Sequence, residues 1–146
     1  MIVRILAIIL TGLALIAPMA HLYELPHKIV LSKEHYFVVQ QIYQGWFLAG
    51  LLLPLALIAD LVLAFVSKDG VRILAAIAAG LIAVNLIIFM IWTQPANRIT
   101  SNWTVETGDW QMLRQQWEYS HAVNAGIILL AFIAITVAAT LKQAGD

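Results

Sequence analysis

Glu118-Tyr119-Ser120-His121 sets a carboxylate and an imidazole three residues apart, so on a helix they share one face a turn apart. His21-Leu22-Tyr23-Glu24 repeats the spacing in reverse order. A Glu/His pair at this spacing is the ligand unit of carboxylate metal proteins built inside helix bundles. Two helices would thus offer His21, Glu24, Glu118 and His121 to one transition metal ion. Nitrogen and oxygen donors without sulfur suit iron, copper or zinc, and the chain has no cysteine. A full dinuclear centre takes further Glu ligands from two more helices. The second and third apolar runs hold none, so a mononuclear site completed by water is expected. Without a metal, His121 is a base for a phenolic proton, tuned by Glu118. His21 and His121 on neighbouring helices could instead be the axial ligands of a b-type haem. Around them, Asn97 and Arg98 would orient the oxygen of a lipophilic phenol or quinone. Trp117 and Tyr43 would stack on its rings, with Gln40 and Gln44 as further polar contacts. Each group also has a plainer reading. His27 and His35 read as headgroup contacts, Glu118–His121 as a buried structural pair, and Asn85, Asn124, Gln40 and Gln44 as interhelical glue.

These side chains need helices to hold them, and the composition says where. Hydrophobic residues make up 62% of the 146 and charged ones 11%, against about 45–50% and 25% in soluble domains. That balance excludes a soluble globular domain and a disordered tail. Eight Lys and Arg against eight Asp and Glu leave no basic field for nucleic acid. No Asp, Glu, Lys or Arg occurs in residues 5–23, 36–59, 73–97 or 122–141. Each window is long enough for a helix to cross a hydrocarbon core, which takes about 20 residues. Their lack of apolar/polar alternation excludes barrel strands. The expected fold is an all-α, integral membrane four-helix bundle, up-down-up-down, with both termini on one side. Its helices cover roughly 2–24, 36–66, 71–94 and 111–141. Arg4 and the Ala17-Pro18-Met19-Ala20 stretch have the layout of a secretion signal. The apolar run is long and Pro18 sits badly beside a cleavage site, so the segment is read as a span. Pro26 and Pro95 are expected just beyond spans one and three.

On this topology all four histidines gather at the end opposite the termini. The terminal end carries Arg4, Asp60, Lys68, Asp69, Arg72 and Lys142, with Asp60 expected to meet Arg4. Lys and Arg divide four to four between the two ends, so they set no orientation. The short turn between spans two and three tilts the termini towards the cytoplasm. The expected partners are the lipid bilayer, a lipophilic small molecule, and a second copy or another membrane subunit.

Trp92-Thr-Gln-Pro-Ala-Asn-Arg98, then Trp110, Arg114 and Trp117-Glu118-x-x-His121, resembles the signature of the small four-span membrane proteins grouped with fungal anthrone oxygenases. The likeness covers residues 85–130 well and the first half in general layout. Where that group often has an Arg three residues after the His, this chain has Asn124. The resemblance implies a membrane oxygenase acting on an electron-rich polycyclic substrate, with Asn97, Arg98, Trp117 and His121 lining its site. Alternatives to an oxidoreductase are a haem carrier and a non-catalytic membrane subunit or small carrier.

Overall fold

The computed structural model describes residues 1–141; Lys142, counted above among the terminal-side cations, lies outside them. Among the described residues there are seven α-helices and no strands. They are α1 (Ile2–Lys28), α2 (Lys33–Gln40), α3 (Phe47–Gly50), α4 (Leu52–Val66), α5 (Asp69–Ile88), α6 (Gln94–Ile99) and α7 (Trp110–Thr140). A 3-10 turn, Gln41–Tyr43, follows α2, and a π turn, Phe89–Thr93, joins α5 to α6. Four stretches are long and apolar enough to cross a membrane: Ile2–Lys28, Phe47–Val66, Asp69–Ile99 and Trp110–Thr140. The chain is an all-α integral membrane four-helix bundle. α1 packs between α4 and α7, and α5 does so from the opposite corner.

In lipid every backbone polar group must be satisfied within its own helix, and association rests on close packing rather than hydrophobic exclusion. Accordingly, the buried stripes are small and periodic. α1 buries Ala7, Thr11, Ala14, Pro18 and His21; α5 buries Val71, Ala75, Ala78, Ile82 and Asn85. Both stripes alternate steps of four and three residues, the spacing of a seam between helices that wind around each other. Among the small residues of the third and fourth spans, Ala75, Ala78, Ala79 and Ala125 are buried, whereas Ala76, Gly80 and Gly126 face outward.

Three boundaries differ from expectation. α1 runs through Pro26 to Lys28. Pro26 removes the N–H that would bond the Leu22 carbonyl, and the extra turn buries the Lys28 side chain among partners. The second span is not one helix from 36 to 66. It breaks at Gln44-Gly45, and Gly45 adopts φ +86°, a left-handed conformation natural to glycine. α2 is thereby detached as a separate helix over the end of the bundle, capped by the Ser32 hydroxyl, which accepts from the His35 N–H. The third helical span continues through Pro95 to Ile99. The π turn before the proline shifts the backbone register there, and Gln116 Nε2 donates to the Trp92 carbonyl at 2.7 Å. At the terminal end the Arg4–Asp60 pair does not form. Asp60 is fully buried and accepts from the Thr11 hydroxyl at 3.3 Å, while Arg4 Nη1 reaches the Leu141 carbonyl.

Candidate functional site

A cavity of about 840 Å³ occupies the loop-side half of the bundle. His21 stands seven residues before the end of α1 and His121 eleven residues into α7. At 1.5 Å per residue both rings lie on the order of 10–16 Å inside the bundle. They meet on the cavity wall, ring centroids 4.3 Å apart and tilted by 42°. Neither ring has a hydrogen bond among the described residues, and His21 Nδ1 is buried without one. Edge contacts to aromatic rings hold both imidazoles: Trp117 lies 4.2 Å from His121 and 4.8 Å from His21, and Tyr43 4.6 Å from His21. Trp46 just before the second span, Phe47 and Gly50 within it, and Met90 from the third are exposed on the cavity's rim. Ser101, Asn102 and Thr104 form the rim nearest the connection between α6 and α7. The mouth therefore opens between spans two and three as well as towards the loop end.

Behind the Tyr43–Trp117 wall lies a buried ionic cluster. Lys28, 4% exposed, reaches Glu118 at 3.1 Å and Glu24 at 3.7 Å. Its ammonium donates to the Tyr43 hydroxyl at 2.9 Å and lies 4.7 Å from the Trp117 ring centroid. Tyr43 in turn donates to Glu24. Glu118 also accepts from Tyr36 at 3.0 Å. Burial, followed by the field of Glu118, pushes the Tyr36 phenol well above its ordinary value. Burial and the hydrogen bond to Glu24 raise that of Tyr43. Both hydroxyls remain protonated donors at neutral pH.

Three further groups shape the wall. Asn97 Oδ1 accepts from Trp117 Nε1 at 2.8 Å, which leaves its amide nitrogen for the cavity. Asn85 Nδ2 donates to the Asn124 carbonyl at 3.4 Å, leaving Asn85 Oδ1 without a partner. Trp103 is carried by a turn in which Ser101, Asn102 and Trp103 all have positive φ. Non-glycine residues pay for such a conformation in strain, which persists where surrounding contacts impose it. Here the contacts are Trp103 N–H to the Thr100 hydroxyl, Gln41 Nε2 to the Trp103 carbonyl, and Tyr36 edge-on at 5.0 Å.

Of the expected site residues, His21, His121, Trp117, Asn97, Gln40, Tyr43 and Gln44 all line the cavity. Glu24 and Glu118 do not join the imidazoles as a four-ligand set. Their carboxylates turn to Lys28, Tyr43 and Tyr36, because a buried charge needs a partner of opposite sign more than a neutral ring. His21 Nδ1 stays 3.8 Å from Glu24. Among the described residues no three His, Asp or Glu side chains converge as metal ligands. Two axial imidazoles must have a porphyrin plane between them, and rings in contact at 4.3 Å leave no such gap. Arg98 is exposed on α6 and does not line the cavity. Arg114 is structural, donating to the Leu31 carbonyl at 2.7 Å and lying 4.6 Å from the Trp110 ring. His27 and His35 are exposed.

Lys28, Tyr36, Trp46 and Trp103 were not singled out from the sequence as site residues, and Lys28 carried a signal that could have found it. It lies seven residues after His21 and four after Glu24, on the same helical face. Ending the helix before Pro26 hid that relation. No known protein family, curated protein or solved structure matches this chain.

Proposed function

We propose that the protein takes a lipophilic aromatic molecule of the phenol or quinone class from the bilayer into the loop-side cavity and acts on it there as an oxidoreductase. The observation that carries this reading is the His21–His121 ring contact on the wall of a cavity with a rim facing lipid. Aromatic edges from Trp46, Trp103 and Trp117 suit a flat ring system, and the amides of Asn97 and Gln40 suit its oxygens. His121 accepts the phenolic proton. Where the substrate is a hydroquinone, the anion left behind gives two electrons and its second hydroxyl proton to dioxygen, which also takes the His121 proton and leaves as hydrogen peroxide beside the quinone. The likeness to the anthrone oxygenase group points to the same chemistry. Arg98 takes no part, since it lies outside the cavity. A metal ion at this place would draw two imidazole ligands from the chain and the rest from water or substrate. In this reading the termini face the cytoplasm, by the short connection between α4 and α5.

The test uses detergent-purified protein, a polycyclic phenol, tryptophan fluorescence for binding and oxygen consumption for turnover. Wild type binds and turns over; His121→Ala still binds and loses roughly 10²–10⁴-fold in rate. Elemental analysis of the two proteins reports whether a metal departs with the ring. Binding without turnover in wild type would leave a carrier, a reading favoured by the open rim. Absence of binding would remove both.

A further inference from the structure

Gln40 is 3% exposed, lines the cavity, and has a side-chain oxygen buried without a partner. An amide can present either its oxygen or its nitrogen to a ligand, and what lies behind it decides which. Here the decision starts at Glu118. Its carboxylate, paired with Lys28, accepts hydrogen bonds and has none to give. The Tyr36 hydroxyl, 3.0 Å away, must therefore spend its one proton on Glu118. Its oxygen is left as an acceptor, and Gln40 Nε2 fills that place at 2.5 Å. With the nitrogen committed, the carbonyl oxygen is what Gln40 has left to offer.

We propose that Glu118 acts through Tyr36 as a positioning residue that locks Gln40 with its carbonyl oxygen towards the cavity, so that the site prefers ligands bearing a hydroxyl donor over the same ligands with that hydrogen replaced. Nothing else in the chain has to touch the ligand for this selectivity to arise. Its physical basis is asymmetric: a buried carbonyl facing a hydroxyl gains the partner it lacks, whereas one facing a methoxy oxygen stays orphaned. Asn85 Oδ1, also unpartnered on the same cavity, works in the same sense. Burial keeps the Tyr36 proton in place, so the direction of the chain is held through the alkaline range. The proposal rests on the reading that the cavity takes a lipophilic aromatic ligand.

The experiment is calorimetric binding of 1,5-dihydroxynaphthalene and 1,5-dimethoxynaphthalene to the protein in nanodiscs, with empty nanodiscs as the partition blank. Wild type should favour the diol by at least about tenfold. Tyr36→Phe keeps the ring against Trp103 but lets the amide turn, so the two affinities should come within about twofold while ether binding is retained. Gln40→Leu should erase the preference in the same way, and carries the test if Tyr36→Phe does not fold. A wild-type ratio near one, or a ratio unchanged in Tyr36→Phe or in Gln40→Leu, overturns the positioning role and leaves the cavity reading standing. No heat from either compound on wild type overturns the cavity reading and this inference together.

Discussion

Between Ala7 and Ala14, α1 meets its neighbours through alanine and threonine; between His21 and Lys28 the same helix meets them through rings and charges. α7 changes the same way, from Ala131, Ala134, Ile135 and Ala138 at the terminal end to Leu113, Trp117, Glu118 and Asn124 at the loop end. Small side chains let backbones approach and leave no space. In the terminal half the one buried carboxylate among the described residues, Asp60, accepts from Thr11. In the loop half the interface side chains are rings, amides and charged groups, and the cavity lies among them. One bundle thus carries a sealed half, which supplies the packing, and a hollow half, which supplies unsatisfied polar groups. The lesson is that a membrane bundle acquires a site where its interface residues become large and polar, without any change of topology.

The comparison breaks most visibly at the ionic cluster. Lys28→Met leaves Glu118 buried with only Tyr36 as a donor. It should cost about 3–5 kcal/mol, and Lys28→Met combined with Glu118→Leu should recover most of that. Thermal unfolding in detergent reads both; equal losses in the single and double variants would mean that the pair does not act as a unit. A packing contrast comes next. Ala78→Leu, at a fully buried position of the sealed half, should cost about 1–3 kcal/mol by overpacking. Ala17→Leu, on the cavity wall, has room to project and should change stability by less than about 1 kcal/mol while weakening ligand binding. If both destabilise alike, the two halves do not differ in packing.

The smallest signal is alkaline. The folded protein holds the Tyr36 and Tyr43 protons above the ordinary phenol value near 10, so the unfolded chain releases them first. The stability they contribute is present below pH 10 and is lost as the pH climbs past it. Phenolate absorbance at about pH 11, where a free phenol is mostly ionised, should show both phenols un-ionised until the protein unfolds. Early ionisation of both would mean that the loop-side half is not closed around them.

Much of this was legible in the chain. Uncharged windows of the right length announced four spans, because lipid tolerates little else. The four histidines were expected together at one end; His21 and His121 share a cavity wall, whereas His27 and His35 are exposed. His21 and His121, singled out by their Glu partners, do meet. What misled was counting charges alone: Gln40, Gln41, Gln44 and Gly45 carry none, so residues 36–66 read as one helix, although polar amides and a glycine are what a break requires. Pro26 and Pro95 misled in the other direction. A proline ends a helix only when nothing nearby repays the lost hydrogen bond, and here Lys28 and the π turn do.

Composition and the spacing of charges by themselves determined that this is a four-span helical membrane protein, since burial in lipid acts on each segment separately. The tertiary fold alone decided which carboxylate faces which partner. Glu24 and Glu118 turn from the imidazoles beside them in sequence to a lysine and two tyrosines brought in from elsewhere, because the pairing of buried charges is settled by what lies nearest in space.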